Sequence, residues 1–179
     1  MAIMEILEVP DPRLRAKAKP VAAIDDGVRK IVSDMFDTMY DARGIGLASI
    51  QVGIEQAIVV IDLQEDLPPE EEGGEPRPGR QPQVFINPEI TWQSDELATY
   101  SEGCLSVPEH YADVDRPVRC RATWLDLDGG SHEQEFDGLM ATCIQHEMDH
   151  LNGIVFIDHV SRLKRDMILK KLAKARRAA

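Results

Sequence analysis

The apolar positions of the chain follow two kinds of repeat, one typical of helices and the other of strands. Between residues 26 and 41 apolar side chains recur every three or four positions, the spacing that buries one face of a helix. The members of this repeat are Val28, Ile31, Val32, Met35, Phe36 and Met39. Asp25 or Asp26 can cap the start, and Gly44 follows the end near Asp41. The pattern predicts an amphipathic N-terminal helix.

Two further helices are predicted nearer the C-terminus. The first spans about residues 137–152, and Gly153 can adopt the left-handed conformation that ends a helix. Its apolar positions are Leu139, Cys143, Ile144 and Leu151. Ser161 can cap the last helix. The apolar residues expected on one side of that helix are Leu163, Met167, Ile168 and Leu172.

Short runs rich in β-branched and apolar residues predict strands between these helices. They lie at residues 57–62, 84–90, 118–124 and 132–136. Asn87 and Pro88 are expected to break the second run, and a turn over residues 128–130 joins the last two into a hairpin. We therefore expect a single α+β domain over residues 1–179, with mostly antiparallel strands around a central helix, an N-terminal helix and a C-terminal helix.

Residues 64–83 interrupt this regular pattern. The segment is rich in proline and glycine, and its acidic residues are Glu65, Asp66, Glu70, Glu71, Glu72 and Glu75. Such a composition buries too little apolar surface to offset the entropy lost on ordering. The segment is therefore expected to be a mobile acidic insertion between two strands.

Charge and cysteine content narrow the classes of protein that remain. The formal net charge of -12 argues against coating of DNA or RNA, which depends on clustered Lys and Arg. No run of about eighteen apolar residues predicts a membrane span, and acidic residues near the N-terminus do not resemble an export signal. The three cysteines are an odd number, which favours a reducing compartment. We expect a cytoplasmic protein with no membrane or DNA partner.

The central predicted helix carries a pattern with chemical meaning. Residues 146–150 read HEMDH, so His146 and His150 lie four apart and project from one helix face. Both imidazoles can then reach one metal ion, while Glu147 lies beside it as a base toward water. A solvated face with two histidines and two acids would produce the same letters, so this motif alone leaves both interpretations open.

A catalytic metal site needs a third protein ligand and one open position. In one large peptidase class that ligand is a histidine six residues after the second, but here Phe156 occupies the position. Asp158 and His159 lie beyond the predicted helix end, and His110 and His132 have no supporting context. Cys104 lies in the glycine-containing segment SEGCLS, where the backbone can approach an ion closely.

Three motifs taken together resemble the peptide deformylase family. Residues 44–51 read GIGLASIQ, residues 102–106 read EGCLS and residues 146–150 read HEMDH, and their order and approximate spacing agree with the signature segments of that family. Ser49 replaces the second alanine of the first signature, and Ile50 stands where many relatives have proline. The resemblance covers nearly the whole chain apart from the acidic insertion.

The resemblance implies a role for several residues. Cys104 would join His146 and His150 as a metal ligand, and Glu147 would act as general base and then general acid. The Gln51 amide and the backbone N–H of Leu105 would stabilise the oxyanion. An ion pair between Glu102 and Arg116 would support the cysteine loop, although unpaired surface charges are an equal alternative for these two residues.

Helix spacing adds a substrate pocket to this prediction. Leu139, Thr142 and Cys143 lie seven, four and three positions before His146 and so share its face. With the first motif they would line a pocket for a methionine side chain; the residues expected to bind substrate are Gly44, Ile45, Gly46, Leu139, Thr142 and Cys143. Plain core packing explains Leu139 and Ile45 almost as well, and Thr142 is less apolar than expected for such a pocket.

The function implied by the resemblance is removal of the N-formyl group from N-formylmethionyl nascent peptides, with release of formate. The family implies Fe2+ as cofactor, whereas the donor set by itself also suits Zn2+. The basic C-terminal helix is a candidate contact to the ribosome. Two alternatives stay open, an ordinary HExxH endopeptidase and a binding module with a structural metal.

Overall fold

The helices of the computed structural model, which describes residues 2–77 and 79–179, agree closely with the predicted ones. Their bounds are α1 Asp26–Asp41, α2 Gly138–Leu151 and α3 Arg162–Ala178. Asp25 caps α1, accepting a hydrogen bond from the backbone N–H of Val28 at 3.0 Å, and Ser161 caps α3. Gly153 has φ 74° just after α2. Local capping chemistry therefore defines where these helices begin and end.

One helix differs from its prediction in the face that it buries. Ile168 and Leu172 of α3 are buried, but Leu163 is 74% exposed and Met167 48% exposed. At about 100° per residue, Leu163 and Met167 lie well around the helix from Ile168. The prediction that all four apolar residues share one side of α3 was wrong.

The described strands form two separate antiparallel sheets. Their bounds are β1 Gly46–Ala48, β2 Ile58–Ile61, β3 Gln83–Gln93, β4 Leu97–Cys104, β5 Val107–Pro117, β6 Arg119–Leu125 and β7 Ser131–Asp137. The larger sheet has the order β1-β2-β3-β6-β7, and the smaller one pairs β4 with β5. The expected α+β architecture with antiparallel strands is confirmed.

Asn87 and Pro88 do not end β3. The pairing of β3 with β6 shifts register between Ile86 and Glu89, and Asn87 has φ 50°. The Asn87 side chain accepts from the N–H of Val21 at 2.7 Å and donates to its carbonyl at 3.0 Å. The two residues therefore form a bulge that the side chain of Asn87 stabilises, and the strand continues beyond it.

The two faces of the larger sheet bury two different helices. Along β2, Ile58 and Val60 join the apolar cluster that contains α1, whereas Val59 and Ile61 join the cluster that contains α2. Alternate residues of a strand point to opposite faces, so β2 lies between the two helices. This double burial explains why its sequence is uniformly apolar.

The acidic segment predicted over residues 64–83 connects β2 to β3, and its last residue, Gln83, is the first residue of β3. Its two ends meet at the buried Asp62, whose Oδ1 accepts from the N–H of Gln64 at 3.0 Å and from that of Gln81 at 3.1 Å. Tyr40 donates to the other carboxylate oxygen at 2.6 Å. Asp62 thus holds the two ends of the acidic segment together. The mobility of the segment stays a prediction. Among the described residues no helix combines the length and apolarity required to cross a membrane.

Candidate active site

The buried helix α2 supplies the first half of the site. His146, Glu147 and His150 are 8%, 5% and 0% exposed, and the two imidazole rings lie 5.1 Å apart between centroids. Phe156, at the position of the missing third histidine, is a core residue whose ring stacks 6.2 Å from that of His146. The helix therefore presents two nitrogen donors and a carboxylate at one point, and the ring of Phe156 supports one of the histidines.

Cys104 reaches the same point from the end of β4. A register shift between Gly103 and Cys104 interrupts the pairing with β5, and the Cys104 Sγ lies 3.3 Å from Nε2 of His150. One ligand atom from each of Cys104, His146 and His150 lies within 4.8 Å of the other two. One sulfur and two imidazole nitrogens are a donor set suited to a divalent transition metal.

The pKa values of the two imidazoles are shifted in opposite directions. Burial lowers the pKa of His150 well below its ordinary value, and a neutral imidazole is the form that binds metal. Burial also lowers the pKa of His146, but hydrogen bonds to Cys104 and Glu102 outweigh it, and the net pKa lies well above the ordinary value. In the metal-free protein His146 therefore retains a proton, which it would have to release to bind a metal ion.

A chain of charged side chains joins the two halves of the site. Glu102 accepts from Nδ1 of His146 at 2.9 Å, and the Arg116 guanidinium holds it with two hydrogen bonds of 2.6 and 3.0 Å. Arg116 also donates to Asp149 on α2 at 2.9 Å, and His159 contacts the same Asp149 oxygen at 2.7 Å. The expected ion pair between Glu102 and Arg116 is therefore present, within a larger network that extends to the half-exposed His159.

Hydrogen bonds keep Glu102 ionised despite its burial. Burial raises the pKa of Glu102, but the hydrogen bonds from His146 and Arg116 outweigh this effect and the net pKa is below the ordinary value. An ionised Glu102 fixes the orientation of the His146 ring and leaves Nε2 of that ring for a ligand bond.

Glu147 lies in a different environment. Among the described residues its Oε2 is fully buried without a hydrogen-bond partner, and burial raises the pKa of Glu147 to about 7. Gly46 lies so close that a Cβ added there would be 2.6 Å from Oε1 of Glu147. A buried polar atom without a partner costs stability, so this carboxylate is retained at a cost that a catalytic role would explain.

The orientation of Gln51 is fixed by its backbone surroundings. Its Oε1 accepts from the N–H of Ala48 at 2.9 Å, so the NH2 group must point the other way. That group donates to Oγ of Ser106 at 3.1 Å and to Sγ of Cys104 at 3.4 Å. Gln51 is 1% exposed, and it therefore presents donors next to the candidate metal ligands instead of lying on the surface.

A cavity of about 540 Å³ opens onto these groups. All six residues expected to bind substrate line it: Gly44, Ile45, Gly46, Leu139, Thr142 and Cys143. Burial raises the pKa of Cys143 to about 12, so this thiol is neutral and acts as an apolar wall. Gln51, Cys104, Leu105, His146 and Glu147 also line the cavity.

The cavity includes residues that the sequence prediction missed. His110, Tyr100 and Tyr111 line it from β4 and β5, and Tyr111 lies against Gly103 so closely that a Cβ on Gly103 would be 2.5 Å from its ring. His110 had no supporting context in the sequence because its strand was not predicted. The available signal for this strand was the alternation of apolar and polar residues along 110–116, which is weak because only Ala112 and Val114 are clearly apolar.

A cavity with a Cys and two His donors, a buried glutamate of raised pKa and an oriented amide defines the class of metal-dependent hydrolases. Residues 3–166 match the polypeptide deformylase family model. The chain belongs to the polypeptide deformylase family, and its activity is the removal of the N-formyl group from newly made peptides. The resemblance noted in the sequence is confirmed, and family membership favours this activity over the endopeptidase and over the non-enzymatic binding module.

Individual relatives agree over the full chain. The peptide deformylase of Rhizorhabdus wittichii is 61% identical over 178 residues, which cover 99% of this chain and 98% of the relative. That of Zymomonas mobilis is 57% identical over 177 residues, with 99% and 97% covered.

Solved structures of the same family share the fold. A peptide deformylase from Legionella pneumophila has a TM-score of 0.86 at 42% identity, with 99% of this chain and 97% of that chain covered. A peptide deformylase from Ehrlichia chaffeensis, solved in complex with actinonin, has a TM-score of 0.85 at 40% identity, with 98% of each chain covered.

Proposed function

We propose that Cys104, His146 and His150 bind one divalent metal ion, and that the adjoining cavity hydrolyses the formyl amide of N-formylmethionyl nascent peptides. The closeness of the three ligand atoms, all within 4.8 Å of one another, supports the metal site. Fe2+ is the proposed ion because of family membership, and Zn2+ is the alternative that the donor set also suits. When bound, the ion would polarise the formyl oxygen and acidify the attacking water.

Glu147 is the proposed general base and acid. With a pKa raised to about 7 by burial, its carboxylate can accept a proton from water and release it again near neutral pH. The water oxygen forms a bond to the formyl carbon, and Glu147 takes the proton. When the carbon–nitrogen bond breaks, Glu147 gives that proton to the departing amine, which leaves formate and a free N-terminus.

Gln51 and Leu105 are the proposed stabilisers of the charged oxygen that forms during attack. The Gln51 NH2 group is held toward Cys104 by the hydrogen bond between Ala48 and its Oε1. The backbone of Leu105 follows Cys104 directly in the chain and lines the same cavity. Fixed donors next to the reacting carbon stabilise the transition state without reorganisation.

The substrate's first side chain is proposed to lie between β1 and α2. Ile45 and Gly46 form one wall, and Leu139, Thr142 and Cys143 form the other. Gly44 belongs to the same wall as Ile45, and a Cβ on Gly44 would be 2.8 Å from Leu105. Glycine at this position thus allows the Leu105 side chain to pack against the first wall, and an unbranched methionine side chain is the proposed occupant of the space between the two walls.

A single observation carries this function, namely that the three metal donors lie within 4.8 Å of one another, beside a cavity lined by Cys104, His146 and the buried Glu147. The test is anaerobic purification of the protein, determination of its metal content and measurement of the formate released from formyl-Met-Ala. Glu147→Gln is expected to lower kcat by about 10²- to 10⁴-fold with metal content unchanged. Glu133→Gln on β7, an exposed residue, serves as the matched control and is expected to behave like wild type. Full activity of Glu147→Gln would contradict the mechanism.

A ribosome contact through α3, in the cytoplasm, is the proposed setting for this activity. Lys170, Lys171 and Lys174 are exposed on that helix, and clustered exposed cations favour binding to RNA phosphates. Changing all three to Glu is expected to abolish salt-dependent co-sedimentation with ribosomes, while formate release from free formyl-Met-Ala stays unchanged. Undiminished co-sedimentation would contradict this contact.

A further inference from the structure

Thr142 is a polar residue in an otherwise apolar part of the cavity. It lies on α2 between Leu139 and Cys143, lines the cavity with them, and is 6% exposed. Its hydroxyl makes no hydrogen bond to any of the described residues, although a helical threonine commonly donates to the carbonyl four residues earlier. Thr38 of α1 shows that alternative, since its hydroxyl donates to the carbonyl of Asp34 at 2.6 Å.

The Thr142 hydroxyl oxygen is not fully buried. Over residues 2–77 and 79–179, the fully buried side-chain oxygen and nitrogen atoms without a hydrogen bond are Oε2 of Glu147 and Nδ1 of His150. The Thr142 oxygen is not one of them, so it retains some accessible surface. Thr142 lines the cavity together with Leu139 and Cys143, so the cavity is the open space next to this hydroxyl.

A free hydroxyl beside a ligand's hydrocarbon chain is unfavourable, because the hydroxyl loses water and gains no partner. A thioether sulfur is a weak hydrogen-bond acceptor, whereas a methylene group accepts nothing. The neighbouring Cys143 thiol is kept neutral by burial and adds polarisable surface of the same kind. The pocket wall therefore offers a donor that a sulfur atom can use and a carbon atom of similar size cannot.

We infer that Thr142 is a specificity-determining residue, whose hydroxyl donates to the thioether sulfur of the substrate's first side chain. The pocket then distinguishes methionine from its hydrocarbon analogue norleucine, which has nearly the same length and shape. This inference rests on the proposed function, because it assumes that the first side chain occupies the pocket between Ile45 and α2.

The test compares kcat/KM for formyl-Met-Ala and formyl-norleucyl-Ala in wild type, Thr142→Val and Thr142→Ser. Valine keeps the shape of threonine without the donor, and serine keeps the donor. The preference of wild type for methionine is expected to fall about 2- to 5-fold in Thr142→Val, as suits one weak hydrogen bond, and to persist in Thr142→Ser. The change is expected mainly in KM, because the contact is remote from the reacting carbon.

An equal methionine preference in wild type and Thr142→Val would overturn the inference. So would loss of the preference in both variants alike, because serine retains the donor. Absence of formate from either substrate in metal-loaded wild type would instead refute the proposed function and, with it, the inference. The two failures are thus distinguishable.

Discussion

The two halves of the active site are built by different means. One turn of α2 supplies His146, Glu147 and His150, all of them buried, and their spacing is fixed by the helix itself. The other half is the end of β4, where the partly exposed Cys104 follows a break in strand pairing. The side-chain positions of the helix half are determined by residues close in sequence. Cys104 of the strand half reaches the histidines only if the β4–β5 pair packs against α2. The contacts of Arg116 with Glu102 and Asp149 join the two halves. Substitution of Arg116 is therefore expected to separate the strand half from the helix half.

The largest effect is expected from Arg116→Met. Arg116 is 5% exposed and binds Glu102 from the strand half and Asp149 from the helix half. Its removal leaves a buried carboxylate without its cation, which typically costs about 3–5 kcal/mol. We expect a loss of this order in the free energy of unfolding of the metal-free protein, measured by denaturant titration.

Arg119→Met is the matched control for that measurement. Arg119 pairs with Glu135 at 3.3 Å, with side chains 51% and 39% exposed, and such surface pairs contribute about 0–1 kcal/mol. Equal decreases in the free energy of unfolding in Arg116→Met and Arg119→Met would show that Arg116 does not hold the two halves together.

A second effect concerns the pH dependence of stability in the helix half. Burial raises the pKa of Glu147 in the folded state to about 7 from an ordinary value of 4.5, so between these pH values the folded state holds a proton that the unfolded state has released. The free energy of unfolding therefore falls as pH rises through this window, by up to about 3 kcal/mol. Glu147→Gln cannot bind or release this proton. Between these pH values the free energy of unfolding of the metal-free variant is therefore expected to fall less than that of wild type, by up to about 3 kcal/mol. Parallel pH profiles for wild type and Glu147→Gln would contradict the raised pKa.

A smaller effect is expected where β1 contacts the helix half. In Gly46→Ala the new Cβ would be 2.6 Å from the end of the Glu147 side chain, which must shift to relieve the contact. Misplacement of a catalytic group by about 1 Å can cost about 10²-fold, so we expect kcat for formyl-Met-Ala to fall about 10- to 100-fold with metal content unchanged. An unaltered kcat would mean that the position of Glu147 is not critical.

The helix half was predictable because its signals are local. The predicted helix at residues 137–152 differs by one residue at each end from Gly138–Leu151, and the spacing of HEMDH already places both histidines on one face. The apolar run of β2 and the caps of α1 and α3 were readable for the same reason. These features depend on neighbours within a few positions of the sequence.

The strand half was not predictable from hydrophobic alternation. The only buried side chain of β4 is Glu102, an acid whose burial depends on Arg116 fourteen residues later and on His146 of α2. A strand is recognised in a sequence when apolar and polar residues alternate, and a strand whose inward-facing residue is charged does not show this alternation. Cys104 was therefore found not from a strand pattern but from the missing histidine at Phe156, its glycine-containing segment and the resemblance of EGCLS. The contacts of Asp149 with Arg116 and His159 were missed because they arise only when distant segments meet.

The closure of the metal site by Cys104 is tested most directly by the absorption spectrum of the Co2+-loaded protein. A thiolate ligand gives a sulfur-to-cobalt charge-transfer band, and imidazoles alone do not. We predict one Co2+ per chain with this band in wild type and in Cys120→Ser, whose cysteine is buried in the core, and loss of the band in Cys104→Ser. A band that persists in Cys104→Ser would contradict the assignment of Cys104 as a ligand and the joining of the two halves at one metal ion.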